Sequence, residues 1–213
     1  MRRSPPLTAF GARRDTAGRR LARALRLLLL ALLPIAAGCT TVIVPPQTPA
    51  HPVRVFLLDH RNTPSLVLPA EDGTMARYAY GDWNWYALDH TGVMDGVRAL
   101  FWPTQGTLGR QVLDAPPTAQ GVTERLGREA YEELLPITVG RAEVERLRKR
   151  LDEEHRAGAR IASVSAHGFV FVPHPQRYTY FRNSNHAVAS WLHELGCETR
   201  GPAFQSRWRV EPR

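Results

Sequence analysis

The chain has 213 residues, a length that suits one medium-sized domain with an additional terminal segment. Its 28 basic residues against 20 acidic ones give a formal charge of +8, but eight arginines and one aspartate lie before residue 27. From Cys39 onward, 20 basic residues face 19 acidic ones. A nearly neutral domain lacks the basic surface that nucleic-acid binding needs, so we expect no nucleic acid as a partner.

The first predicted element is an export signal. An arginine-rich stretch is followed by an apolar run that begins at Leu27 and ends in small residues before Cys39. A positive region, a short apolar region and small residues before a break are typical of a secretory signal. The run is too short to cross a bilayer, which takes about 20 residues. We therefore predict a signal peptide over residues 1–38.

The end of this signal, Ala37-Gly38-Cys39, resembles the lipobox of bacterial lipoproteins. In those proteins the cysteine thiol receives a diacylglyceryl group and becomes the mature N-terminus. The resemblance implies lipidation of Cys39, attachment to a membrane of the bacterial cell envelope, and, as we expect, the outer membrane with the domain facing the periplasm. The alternative is an ordinary cleaved signal with an incidental cysteine. Residues 39–52 contain four prolines and are predicted to form an extended spacer.

Residues 53–213 are predicted to form a single α+β domain, because short strands with helices grouped between them are typical of that class. The predicted strands are 53–59, 65–70, 76–80, 106–113, 163–172, 176–181 and 204–210, and the predicted helices are 95–101, 123–135, 141–155 and 185–195. In the helix over 141–155, Val144, Leu147 and Leu151 form a narrow apolar stripe, which indicates one buried side and one charged, solvated side.

An aromatic segment follows the third predicted strand and contains Trp83, Trp85 and Tyr86. Exposed aromatic side chains mark binding surfaces, so these three residues are candidates for a ligand groove. The alternative is a purely structural lipoprotein in which the segment packs internally. The histidine and cysteine spacing matches no zinc site, and no glycine-rich phosphate loop is present, so we expect no metal and no cofactor.

The last predicted helix carries a candidate catalytic residue. Val188, Trp191 and Leu195 follow helical spacing, and Ser184 extends the same face to the N-terminal end of the helix. The positive end of a helix dipole favours a nucleophile there, as it does for the cysteine of papain-like enzymes. Serine is also a preferred N-cap residue, and capping alone would explain Ser184.

Three segments resemble an uncharacterised family of bacterial envelope proteins. Residues 60–69, His-Arg-Asn-Thr-Pro-Ser-Leu-Val-Leu-Pro, are similar to that family's His-Gly-Trp-His-Thr-Gly-Ile-Val-Leu-Pro segment. Residues 80–86, Tyr-Gly-Asp-Trp-Asn-Trp-Tyr, are similar to its Gly-Trp-Gly-Asp…Tyr segment. Residues 183–186, Asn-Ser-Asn-His, with Trp191 beyond, resemble its Thr-Cys-Asn-x-Trp segment. The resemblance implies the permuted papain-like fold of NlpC-type peptidases and lecithin:retinol acyltransferase relatives.

In that permuted fold a histidine on an early strand precedes a cysteine at the start of a late helix. Aligned with the family, Thr63 stands at the inner histidine, Ser184 at the cysteine and His60 at the outer histidine. We therefore expect a catalytically degenerate domain that acts as a binding or scaffolding module, with a cell-wall or envelope protein ligand. The alternative is an active hydrolase or acyltransferase on cell-wall peptides or lipids, in which His60 or His167 activates Ser184.

Overall fold

Two β-sheets and four helices form the domain in the computed structural model, which describes residues 40–60, 63–88, 102–165, 167–203 and 207–211. The strands are β1 (Thr41–Val44), β2 (Pro52–Asp59), β3 (Pro64–Pro69), β4 (Met75–Asp82), β5 (Thr104–Leu113), β6 (Glu133–Gly140), β7 (Ser163–Val164), β8 (Val170–Tyr178), β9 (Glu198–Arg200) and β10 (Trp208–Val210). The helices are α1 (Trp83–Tyr86), α2 (Ala119–Leu126), α3 (Arg141–Gly158) and α4 (Ser184–Glu194), with a 3-10 turn over Arg128–Ala130. The predicted α+β class is confirmed for these residues.

The larger sheet has seven strands in the order β6-β2-β3-β4-β5-β8-β7, and every neighbouring pair is antiparallel. Strands β2, β3 and β4 follow one another closely along the chain. In the turn before β4, Asp72 accepts hydrogen bonds from the backbone N–H and the hydroxyl of Thr74, and Gly73 adopts a φ of +84°. Such a positive φ favours glycine, so the sequence Asp-Gly encodes this turn.

Side chains along the strands point alternately to the two faces of this sheet, and helices cover both. On the first face, Leu66 of β3 is buried with Leu147 of α3 and Trp191 of α4. On the second face, Val67 of β3 is buried with Val122 of α2. We term these the α3–α4 face and the α2 face. The apolar stripe predicted for α3 and the inward side predicted for the last helix are both confirmed.

The predicted helix over 123–135 is wrong beyond its first residues. Helix α2 ends at Leu126, where Gly127 adopts a φ of +86°, and Glu133–Gly140 forms the edge strand β6. This strand pairs with the whole of β2, from Pro52↔Gly140 to Asp59↔Glu133. Pro136 is tolerated because an edge strand leaves one side of its backbone without ladder partners. Pairing with a distant strand outweighs the local helical pattern.

The predicted spacer over 39–52 also differs from the structure. Thr41–Val44 forms β1, which lies between β9 and β10 in the three-stranded sheet. Ile43 is fully buried in the same core as Trp191, so β1 is part of the packed domain. The described residues all belong to one compact unit, Cys39–Arg213. A spacer and a β-strand both have an extended backbone. This segment forms a strand because β9 and β10 provide hydrogen-bonding partners for it.

Two further predictions change in detail. The strand predicted over 163–172 is divided into β7 and the start of β8 by a turn in which Gly168 adopts a φ of +78°. The strand predicted over 176–181 is the end of β8, which stops at Tyr178. The helix predicted over 95–101 lies outside the described residues, as do the signal peptide and Cys39.

Candidate functional site

Ser184 lies at the start of α4, as predicted, but it does not cap the helix. The N-cap is Asn183, whose side-chain oxygen accepts hydrogen bonds from the backbone N–H groups of Asn185 at 3.0 Å and His186 at 3.2 Å. His186 Nδ1 also lies 2.9 Å from this oxygen. The capping role suggested for Ser184 is therefore wrong, because the preceding residue satisfies the free N–H groups of the first turn.

Ser184 is 3% exposed, on the face of α4 that also buries Val188, Trp191 and Leu192. Its position at the end of this face agrees with the spacing in the sequence. The neighbouring Asn185 is equally buried, and its side-chain oxygen has no hydrogen-bond partner among the described residues. Ser184 thus lies at an inward-facing helix N-terminus.

His60 follows β2 and belongs to a hydrogen-bonded cluster of polar side chains. Its Nε2 atom lies 3.2 Å from Ser65 Oγ and 2.6 Å from Arg77 Nη2, and its ring also bonds to the backbone of Ala130. Burial, and next the positive charge of Arg77, lower the pKa of His60 from 6.5 to about 4. The ring is therefore neutral at pH 7, and the lone pair of Nε2 can accept the hydrogen bond from Arg77, while Ser65 Oγ lies at the longer distance.

His167 is exposed in the turn between β7 and β8 and approaches the same cluster. Its backbone carbonyl accepts a hydrogen bond from Gln111 Nε2 at 2.8 Å, and its charge contributes to lowering the pKa of His60. The structure therefore brings the two candidate histidines, His60 and His167, near each other.

The sheet separates these histidines from Ser184. Ser65, the partner of His60, precedes Leu66 in β3; since Leu66 lies on the α3–α4 face, Ser65 lies on the α2 face. Arg77 lies on the α2 face for the same reason. Helix α4, which carries Ser184, packs on the opposite face. Within the described part of the chain, no histidine forms a hydrogen bond with the Ser184 hydroxyl.

Arg77 is the centre of this cluster, and the sequence analysis missed it. The side chain is only 6% exposed; Nε donates to Ser65 Oγ at 3.0 Å and Nη1 donates to Gln111 Oε1 at 3.1 Å. The guanidinium lies 4.6 Å from the centre of the Phe169 ring. Burial lowers the pKa of Arg77 to about 10. The available signal was a single charged residue within the otherwise uncharged strand predicted over 76–80.

The aromatic segment forms α1, whose N-cap Asp82 accepts a hydrogen bond from Trp85 N at 2.9 Å. Trp83, Trp85 and Tyr86 are all partly buried. Tyr86 packs against Phe171 with ring centres 6.0 Å apart, and Trp83 contacts the same apolar cluster. Trp83 and Tyr86, two of the three candidate groove residues, therefore pack internally, as in the alternative that we considered.

Thr63, which the sequence analysis aligned with a histidine, forms a hydrogen bond with the Tyr86 hydroxyl. Gly81 permits the close approach of this tyrosine, because a Cβ atom at residue 81 would lie 2.2 Å from the Tyr86 ring. Thr63 and Tyr86 thus form a pair of hydroxyl groups, neither of which is a general base like histidine.

The remaining cysteine, Cys197, is buried in the core, and burial raises the pKa of its thiol to about 11. A thiol that stays protonated at pH 7 is a poor nucleophile. In the described parts of the chain, no three side chains of His, Cys, Asp or Glu lie close enough together to hold a metal ion. None of the described helices is both long and apolar enough to span a membrane.

Comparisons of the chain with protein-family models, curated proteins and solved structures give no match.

Proposed function

We propose that this chain is a lipid-anchored protein of the bacterial cell envelope, whose domain acts as a binding or scaffolding module and does not catalyse hydrolysis. The signal over residues 1–38 and the lipobox-like Cys39 support the anchor. In this proposal the lipid holds the domain at the outer membrane, facing the periplasm. Its ligand is a cell-wall component or another envelope protein.

We further propose that the α+β domain is a degenerate, permuted papain-like domain. An antiparallel sheet with a buried serine at the N-terminus of a late helix is compatible with that fold. The order of the segments around His60, Tyr86 and Ser184 along the chain also agrees with the resembling family. The departures are Thr63 and Ser184, which replace the histidine and the cysteine.

The separation of Ser184 from His60 and His167 by the sheet carries the non-catalytic part of the proposal. A serine hydroxyl needs a hydrogen-bonded base at about 3 Å before it can attack a carbonyl group. His60 instead uses Nε2 to contact Ser65 and Arg77, and burial, followed by the charge of Arg77, lowers its pKa and makes it a weak base. A hydrolase that uses Ser184 therefore receives no support from this arrangement.

The test is labelling of the detergent-solubilised full chain with a fluorescent serine-directed phosphonate, with Ser184→Ala as the matched control. We expect no label on either protein. We also expect the chain to co-sediment with purified cell-wall peptidoglycan, or with envelope membranes from which the peptidoglycan has been removed. Label on the wild type that is absent from Ser184→Ala would overturn the non-catalytic proposal.

A further inference from the structure

Arg77 is a buried cation whose partners among the described residues are all neutral. It binds Ser65, Gln111 and His60, and Phe169 covers one side of the guanidinium. No carboxylate of the described residues forms an ion pair with it. A buried charge is costly unless an opposite charge compensates it, and arginine does not lose its proton at physiological pH. The cluster therefore lacks the negative charge that a buried guanidinium ordinarily has.

The guanidinium also retains hydrogen-bonding capacity. Each terminal nitrogen of Arg77 carries two N–H groups, and only one on each is used, by Gln111 and by His60. His60 is neutral and accepts from Arg77, so it contributes no competing positive charge at pH 7. Within the described residues, one N–H on each terminal nitrogen remains for an external acceptor.

The cluster reaches the surface at the turn between β7 and β8. Gln111 Nε2 binds the carbonyl of His167, and His167 and Gly168 are both exposed. At this turn, the cluster is therefore connected to solvent-exposed residues through Gln111.

We propose that Arg77, with Gln111, Ser65 and His60 around it, binds the carboxylate group of a ligand on the α2 face of the sheet. This inference deepens the proposed binding function and rests on it. The site lies on the side of the sheet opposite Ser184, so it is separate from the position of the family's cysteine.

The charge of the cluster favours a carboxylate over a phosphate. One buried positive charge is neutralised by one carboxylate, whereas a phosphate dianion would leave an excess negative charge in the same apolar surroundings. The planar guanidinium also matches the geometry of two carboxylate oxygens. A peptide C-terminus, an acidic side chain or a free organic acid could each supply the group.

The test is the thermal unfolding midpoint of the detergent-solubilised full chain, measured in sodium acetate, sodium phosphate and sodium chloride at equal ionic strength and pH 7. We expect acetate to raise the midpoint saturably above its value in chloride, because a ligand that binds only the folded state stabilises it. Phosphate is expected to raise it less. A response to acetate no larger than that to chloride overturns the proposal, and a stronger response to phosphate overturns the carboxylate assignment.

Gln111→Glu tests the same site without removing Arg77. A carboxylate in place of the amide at 3.1 Å from Nη1 should compensate the guanidinium internally, so we expect no response to acetate, although the variant loses the amide's hydrogen bond to the His167 carbonyl. Gln47→Glu makes the same chemical change at an exposed position and should keep the wild-type response. If Gln111→Glu responds to acetate as the wild type does, the ligand does not bind at Arg77. A negative result in these acetate experiments would not change the phosphonate-labelling and co-sedimentation results. Failure of the carboxylate proposal can therefore be distinguished from failure of the proposed function.

Discussion

His60 and Arg77 contact each other through Nε2 and Nη2 at 2.6 Å, in a cluster where burial keeps the imidazole neutral. The contact couples the stability of the domain to pH. Protonation of His60 would place a second positive charge against the buried guanidinium and would remove its acceptor atom. The pair is therefore stable only while the imidazole remains unprotonated.

The first prediction is a loss of stability in mild acid. Because the pKa of His60 falls from 6.5 to about 4 on folding, the unfolded chain binds the extra proton between these values. The free energy of unfolding is fully maintained above about pH 6.5 and falls, by roughly 3 kcal/mol from this group, as the pH approaches 4. Urea unfolding at a series of pH values measures this decrease in the free energy of unfolding.

The matched variants separate His60 from the other histidines. His60→Gln keeps an acceptor for Arg77 but does not titrate. Between about pH 4 and 6.5 its unfolding should therefore take up close to one proton fewer than that of the wild type, and the slope of the unfolding free energy against pH should decrease accordingly. Ser184→Ala, which removes no ionisable group, should leave the slope unchanged. Equal slopes for His60→Gln and wild type would contradict the assignment.

The second prediction concerns the start of α4. Asn183→Ala should lower the free energy of unfolding by about 1–2 kcal/mol, because its side chain binds two N–H groups of the first turn. Ser184→Ala should cost less, since the hydroxyl does not cap the helix. Chemical denaturation of both variants gives the comparison. A larger loss for Ser184→Ala would mean that this hydroxyl, not Asn183, stabilises the helix start.

The third prediction concerns the core beneath α4. Trp191 is 6% exposed and packs between the helix and β3, so Trp191→Ala should cost about 3–5 kcal/mol. Trp102, which is 64% exposed, provides the control, and Trp102→Ala should cost much less. Equilibrium unfolding monitored by far-ultraviolet circular dichroism avoids the loss of tryptophan fluorescence. Similar losses for the two variants would show that α4 does not pack as described.

The fourth prediction concerns the anchor. Cys39→Ala should move the protein from the membrane fraction to the soluble periplasmic fraction, and it should abolish metabolic labelling with a fatty acid. Cys197→Ala removes the other cysteine, which is buried in the core, and should leave the labelling intact. A wild-type chain that takes up no fatty acid would refute lipidation.

The sequence predicted the elements whose periodicity is local. The hairpins of β2, β3 and β4 follow from apolar strands with turn residues between them, and α3 follows from a stripe of three buried residues on a charged helix. The inward face of α4, from Ser184 to Leu195, was also readable from spacing alone. In each case a single segment contains the whole pattern, because period 2 or period 3.6 is a property of neighbouring residues.

Tertiary structure decided the edges of the sheets and the composition of the candidate site. Thr41–Val44 and Glu133–Gly140 became strands because distant strands offered them backbone partners, which no local pattern encodes. The sheet placed His60 and Ser184 on opposite faces, although the sequence analysis considered them together as a candidate catalytic pair. Arg77 became the centre of a polar cluster because Ser65, Gln111 and Phe169 come from three other strands or turns. The sequence shows that residue 77 carries a positive charge. Its burial and its hydrogen-bond partners depend on how the strands pack together, which the sequence does not show directly.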